Sequence, residues 1–394
     1  MQVVSGIKLG TACAGIKQAE QDDLLLIEMV EGGACAAVFT QNAFCAAPVL
    51  VAREHLTEQP RWLLINSGNA NAGTGEQGLA DTQASCVAVA GLNNAQAVQV
   101  LPFSTGVIGE LLPMPKIIAA LPAVRANLKA DNWYKAAHAI MTTDTFAKGY
   151  SKVIEIEGYK VTITGMSKGA GMIQPNMATM LGFIATDAKI SQELLQRCLS
   201  AAVEQSFNRI TVDGDTSTND ACVLMASGQS SLAEIVEGSD AMALFAEAIQ
   251  EACSSLAEAI VRDGEGATKL IKINVQQAIT EVEAVQVAKT VAHSPLVKTA
   301  FFASDPNWGR ILAAVGRAGV DQLDVSRIAI YLDDVCIVEN GGRANSYTEE
   351  AGQAVMAQEE ISVTVILGRG KIEQNVLTCD FSYDYVRINA EYRT

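Results

Sequence analysis

The chain has 394 residues, 49% of them hydrophobic, and carries 28 Lys+Arg against 44 Asp+Glu for a formal net charge of −16. That length is ample for a sizeable core and for two or three domains. The 18% charged fraction excludes global disorder, and the acidity makes phosphate backbones and anionic lipid poor partners, so neither nucleic acid nor a membrane surface is expected.

The N-terminus, MQVVSGIKLG, lacks a basic start followed by an apolar run of about 7–15 residues, so it does not read as a secretory signal and a cytoplasmic protein is expected. Short apolar runs at 24–29, 36–40 and 62–66 predict strands, and 78–90 predicts the first helix. The longest apolar stretch, 43–52, contains Pro48 and falls short of the about 20 residues of a membrane helix. Further strands are predicted at 98–101, 153–156, 160–164, 181–185, 222–226 and 269–275. Helices are predicted at 115–128, 191–206 and 240–262, the last with Ala, Leu and Ile recurring at three- and four-residue steps. After about residue 278 the elements shorten: a helix at 307–318, strands at 328–332, 361–367 and 375–379, and a charged, extended tail. This texture predicts a mixed α/β main domain over 1–278 and a smaller α/β domain over 279–394.

Nine cysteines form no CxxC pair and none has a histidine at zinc-ligand spacing, so no metal site is expected and each reads as a small core residue. The segment 73–78 matches GxGxxG, but no Asp or Glu lies in 92–101, where a ribose-binding acid belongs, so a dinucleotide cofactor is not expected. Only His55, His138 and His293 are available as imidazole bases. His55 reads as a surface residue, His138 as part of a helix and His293 as part of a turn, and none lies near a convincing nucleophile.

Five polar, Gly-rich islands stand out. Residues 66–73 cluster small donors and acceptors after a strand, and 104–109, STGVIG, reads as a turn able to aim backbone N–H groups at a ligand oxygen. Residues 167–181 form a constrained loop, with Gly169 and Gly171 permitting tight conformations and Pro175 restricting Gln174, which runs into an apolar strand. Residues 213–220, DGDTSTND, lack the spacing of an EF-hand, and 262–269 place Glu265 between two glycines. Asp213, Asp215, Asn219 and Asp220 read as a turn network rather than as catalytic groups, and Trp308 and Arg310 as residues fixing a domain interface.

KGAGMIQPNMATML at 168–181, STGVIG at 104–109, MTTDTFAK at 141–148, DGDTSTND at 213–220, RDGEGATK at 262–269, SDPNWGR at 304–310 and INAEYRT at 388–394 together resemble the glutamate N-acetyltransferase (ornithine acetyltransferase) family of arginine biosynthesis, in order and across nearly the whole chain. The resemblance implies a self-cleaving N-terminal-nucleophile enzyme. Cleavage between Ala178 and Thr179 would leave an α chain of 1–178 and a β chain of 179–394 that begins with the nucleophile Thr179. It also implies a layered α-β-β-α sandwich with a smaller C-terminal α/β domain, and an α2β2 heterotetramer.

The implied reaction is ping-pong transfer of the acetyl group of N-acetylornithine to glutamate, with acetyl-CoA as a possible second donor and no resident cofactor or metal. Thr105 and Gly106 would stabilise the oxyanion; Thr145, Lys168, Thr179, Glu265, Asn389 and Thr394 would contact substrate. A newly freed α-amine answers the shortage of histidine, because its reference pKa of about 7.7–8.0 makes it a better base near neutrality than a lysine at about 10.4. Two rival readings stand beside this one: an N-terminal-nucleophile aminopeptidase or amidase of related fold, and a small-molecule-binding protein with an inert Thr179. The basic and acidic residues divide unevenly at the implied cut, with 12 Lys+Arg and 14 Asp+Glu before residue 179 and the remaining 16 and 30 after it.

Overall fold

The computed structural model describes residues 1–17, 20–174 and 180–391. Two sheets face one another. The first orders β1 (Ile7–Ala12), β2 (Leu24–Met29), β4 (Trp62–Asn69) and β5 (Val100–Val107), leaving β5 at one edge. The second orders β3 (Ala34–Phe39), β9 (Ala221–Ala226), β8 (Leu181–Thr186), β7 (Tyr159–Lys168) and β6 (Lys148–Ile156). Strand periodicity sends alternate side chains to opposite faces. Leu25, Ile27, Leu63, Ile65, Leu101 and Phe103 therefore meet Ala37, Leu181, Phe183, Ala185 and Val223 in the core between the sheets. Phe103 and Phe183 pack edge to face, with ring centroids 5.2 Å apart, and pin β5 against β8 near the ends that carry the site.

The opposite faces are covered by helices. Leu24, Leu26, Leu64 and Val100 pack against Cys86 and Val89 of α2 (Gly75–Asn93) and Ile117, Leu121 and Val124 of α3 (Met114–Ala126). α1 (Ala47–His55) and α4 (Trp133–Ala139) close the ends of the first core. Ile163, Ile184 and Leu224 pack against α5 (Gln192–Glu204) and α6 (Asp240–Arg262). α6 begins where the Ser239 hydroxyl accepts the Met242 N–H at 3.1 Å, and it buries Phe245, Ile249, Cys253, Leu256 and Ile260, one face at helical spacing. The α-β-β-α sandwich expected from the resemblance is thus present.

A third sheet orders β13 (Gly342–Arg343), β12 (Val335–Glu339), β11 (Ala329–Leu332), β14 (Glu360–Ile366), β10 (Leu270–Ala278) and β15 (Ile372–Cys379). Its apolar face packs on α7 (Glu281–Ala292), α8 (Pro295–Phe302), α9 (Trp308–Gly316) and α10 (Glu349–Met356). β10 is parallel to β14 and antiparallel to β15, with Ile271, Ile273 and Val275 in the core of this layer. The third sheet therefore begins at Leu270, ahead of the division expected after residue 278.

Four other expectations differ from the structure. The charged tail is not extended: Tyr383–Glu391 forms α11, which docks through Ser382 Oγ on the Gly266 carbonyl at 2.6 Å. The segment 104–109 is not wholly a turn, because pairing with β4 carries β5 through to Val107. His55 is buried, with Nδ1 2.8 Å from the Val100 carbonyl. Of the cysteines, Cys13 is exposed and Cys45 and Cys336 are half-buried, while the other six are in the core. Among the described residues, no helix is long and apolar enough to cross a membrane.

Candidate active site

β4 and β5 run parallel, with Gly68 opposite Gly106. Gly106 has φ +132°, and a Cβ there would lie 2.4 Å from the Gly68 carbonyl carbon, so neither the conformation nor the space admits another residue. The Arg61 N–H donates to the Gln99 carbonyl at 2.9 Å at the start of this pairing, which places the backbone groups of the odd-numbered residues of β5 up to Thr105 toward β4. Strand alternation turns those of Ser104 and Gly106 to the open edge. Accordingly, the Ser104 carbonyl accepts from Asn219 Nδ2 at 2.9 Å on that edge, and extended backbone at Thr105, inside β5, directs the Gly106 N–H the same way. The Ser104 hydroxyl donates to Asn66 Oδ1 at 2.6 Å, and Asn66 Nδ2 donates to the Asn69 carbonyl at 2.8 Å, which makes the strand ends rigid.

The second wall is the end of β7. Lys168 is its last residue, and the next amide, Gly169 N–H, donates to Asp144 Oδ1 at 2.7 Å. Lys148 Nζ lies 2.6 Å from Asp144 Oδ1 and 2.5 Å from Asp263 Oδ2, with all three side chains shut off from water. Burial pushes the Asp144 carboxyl up, but the Lys168 and Lys148 ammonium groups and the Gly169 N–H outweigh it and hold the group at about 2. The Thr145 N–H donates to Asp263 Oδ2 at 3.0 Å, and its hydroxyl donates to the same carboxylate.

The third wall is the loop after α6. Glu265 N–H donates to the Ala170 carbonyl at 2.8 Å, and a Cβ on Gly171 would sit 2.4 Å from the Glu265 carboxyl carbon, so the two segments touch backbone to side chain. Asn389 on α11 donates to Glu265 Oε2 at 2.9 Å. Asp213 accepts the N–H groups of Met172 and Ile173 at 2.6 and 2.8 Å, and the Thr211 hydroxyl and Val212 N–H both donate to the Ile173 carbonyl. Burial raises the Asp213 carboxyl above its ordinary value, against the N–H groups that favour its charge.

These walls enclose a cavity of about 120 Å³. It brings together Thr105, Gly106, Lys168, Glu265 and Asn389 from the sequence reading. Thr145 does not line it; Thr142 and Thr143 do, and the Thr145 hydroxyl is spent on Asp263. Ala178, Thr179 and Thr394 lie outside the described residues. Met180, one peptide bond after Thr179, accepts the Ala221 N–H at 3.0 Å and is in the core beside β8. A larger cleft of about 420 Å³ between α6 and the third sheet contains none of these residues.

Sequence reasoning missed the Lys148–Asp144–Asp263 network and left Asn219 in a turn. The four-residue spacing of Asp144 and Lys148 was the one signal available for the former. Among the described residues, the cavity offers the Lys168 cation, the Glu265 carboxylate and a backbone N–H on an open strand edge. That set suits an amino-acid-sized ligand with a polarisable carbonyl.

A sandwich of facing sheets with such a cavity at its strand ends defines an enzyme-like small-molecule site, and likeness to known proteins makes it particular. The ArgJ family model matches residues 8–394, and the chain belongs to the ArgJ family. It is 64% identical over 391 residues to the arginine biosynthesis bifunctional protein ArgJ of Methylococcus capsulatus, covering 99% of this chain and 96% of that one. It is 54% identical to the protein of the same name from Pseudomonas fluorescens, covering 99% and 97%. The crystal structure of the Bacillus halodurans ArgJ protein aligns at a TM-score of 0.52 and 43% identity, covering 54% of this chain and 100% of that chain.

Proposed function

We propose that the chain transfers the acetyl group of N-acetylornithine to glutamate, and that it also accepts acetyl-CoA as a donor. The observation that carries this reading is the single cavity in which Thr105, the open-edge Gly106 N–H, Lys168 and Glu265 converge, in a member of a family whose named relatives are bifunctional proteins of arginine biosynthesis.

Self-cleavage between Ala178 and Thr179 frees the α-amine of Thr179, which takes the proton of its own hydroxyl. The Thr179 Oγ–carbonyl carbon bond forms, and Thr105 and Gly106 hold the oxyanion. The C–N bond to ornithine then breaks, with the proton passing to the departing amine. Glutamate enters, its α-amine attacks the acetyl-threonine ester, and the hydroxyl is restored. The Lys168 ammonium meets the carboxylate that donor and acceptor share, and Glu265, steadied by Asn389, meets the ornithine ammonium. Thr179 and Thr394 complete the substrate contacts, and no metal or resident cofactor takes part. The working assembly is two α and two β chains in the cytoplasm.

Incubation with N-acetylornithine and glutamate should yield ornithine and N-acetylglutamate in equal amounts, and acetyl-CoA as sole donor should also yield N-acetylglutamate. Intact mass should give two pieces meeting at Ala178/Thr179, while Thr179→Ala should give one inactive chain. Free acetate as the main product, or full activity in an uncleaved chain, would overturn the reading; the former points to an amidase.

A further inference from the structure

We propose that Asn219 is a positioning residue for acetyl transfer: its side-chain amide occupies the Ser104 carbonyl at the open edge of β5 and ties it to the Ala70 carbonyl that follows β4, leaving the Gly106 N–H as the group that edge presents to the reacting oxygen. The proposal rests on the reading of Thr105 and Gly106 as oxyanion donors.

Asn219 is 6% exposed and lines the cavity. Its Nδ2 donates to two carbonyl oxygens of the first sheet's segments, Ser104 at 2.9 Å and Ala70 at 2.5 Å. Its Oδ1 accepts the Thr218 hydroxyl at 2.6 Å, which fixes the end of the amide that faces those carbonyls. The residue is mounted on the second sheet: the next carbonyl, Asp220 O, accepts the Thr40 N–H at 3.0 Å, and β9 begins at Ala221. One side chain therefore spans from the second sheet to the strand that carries Thr105 and Gly106.

The backbone groups of Ser104 and Gly106 face the same edge, on either side of Thr105. A neighbouring strand on that edge would bond both the Ser104 carbonyl and the Gly106 N–H. Asn219 turns its Nδ2 donors to the carbonyls while its Oδ1 is held by the Thr218 hydroxyl, so it satisfies the carbonyls and leaves the N–H free. Two bare carbonyl oxygens beside a developing oxyanion would oppose it electrostatically, and the water-poor setting enlarges that effect. Anchoring Ser104 also fixes the strand direction at Thr105, because each peptide group is planar and moves as a unit.

The test is a double-mutant cycle between Asn219→Ala and Thr105→Ala, with kcat and KM measured for acetyl transfer from N-acetylornithine to glutamate. Rates are expressed per mole of cleaved enzyme by intact mass, and thermal melts are recorded alongside. Loss of one oxyanion donor typically lowers kcat by about 10²–10³, so loss of its positioning residue should lower kcat by about 10- to 100-fold with KM nearly unchanged. Because part of the Asn219 effect runs through the strand at Thr105, the loss in the double variant should be smaller than the product of the two single losses. Losses that multiply in full, or a change confined to KM, overturn the proposal. So does a normal kcat in Asn219→Ala when Thr105→Ala is slow. A normal kcat in Thr105→Ala overturns the oxyanion reading and the proposal with it. If Asn219→Ala does not accumulate as folded protein, Asn219→Asp keeps the shape while setting a carboxylate against both carbonyls; its kcat should fall further than that expected for Asn219→Ala, and a normal kcat would refute the role.

Discussion

Replacing Lys148 by methionine removes the cation that bridges Asp144 and Asp263 behind the Lys168 wall. Methionine retains most of the apolar volume, so the loss is mainly electrostatic. Two buried carboxylates remain, Asp144 with the Gly169 N–H and the charge of Lys168, and Asp263 with the Thr145 N–H and hydroxyl. Removing one partner of a buried pair typically costs about 3–5 kcal/mol. An unfolding entropy of about 2.1 cal/mol/K per residue gives about 0.8 kcal/mol/K for a chain of 394 residues, so Tm should fall by about 5 °C. The variant should also show a raised KM, because Asp144 holds the amide that follows Lys168. The pH dependence has a definite sign. Asp144 lies at about 2, below its ordinary 3.8, so its stabilising contribution of about 2 kcal/mol is complete above about pH 4 and is lost as pH falls toward 2. Lys148→Met should raise the folded-state value and move acid unfolding to higher pH. Thermal melts from pH 3 to 8, with steady-state kinetics at pH 8, test this. A Tm within about 1 °C of the parent at every pH, with unchanged KM, would refute the network's role.

Two further substitutions separate the walls of the cavity. Gly171→Ala places a methyl group 2.4 Å from the Glu265 carboxyl carbon, so Glu265 must move; the expected result is a several-fold higher KM for N-acetylornithine with cleavage intact, read by steady-state kinetics and intact mass. Asp213→Asn removes a charged acceptor from the Met172 and Ile173 N–H groups, each such bond being worth about 1.5–3 kcal/mol, and should slow self-cleavage in a time course by mass while leaving the melt of cleaved protein within a few degrees.

Local pattern carried much of this fold. Leu24–Met29 and Asp240–Arg262 were legible to the residue, because an apolar run between polar flanks and a capped, one-sided helix both declare themselves within the element. α11 was not legible: its helix gains from docking on Gly266, where a Cβ would strike the Tyr385 backbone nitrogen at 2.5 Å, a contact across more than a hundred residues. Ser104–Val107 looked like a turn for a similar reason, since glycines that break a strand in isolation are admitted here by the close approach of Gly68. Among site residues, Glu265 stood out as a carboxylate set between two glycines and Lys168 as the lysine that opens a Gly-rich loop. Asn219 did not, because its meaning lies in two carbonyls on a different sheet.

The site and the sheets both straddle the proposed cut. Thr105, Gly106 and Lys168 precede residue 179, while Asn219, Glu265 and Asn389 follow it. β7 pairs with β8 from Ile163↔Thr186 to Lys168↔Leu181, and β3 pairs with β9 along six residues, so the five-stranded sheet is built from both pieces. The core between the facing sheets likewise mixes Leu63, Leu101 and Phe103 with Phe183, Ala185 and Val223. A cut at the proposed bond would leave the two pieces joined by this pairing and burial. The proposed cleavage would therefore leave the strand pairing and the core between the sheets in place. The nearly neutral first piece and the strongly acidic second one are held by apolar contact and strand pairing, not by their net charges.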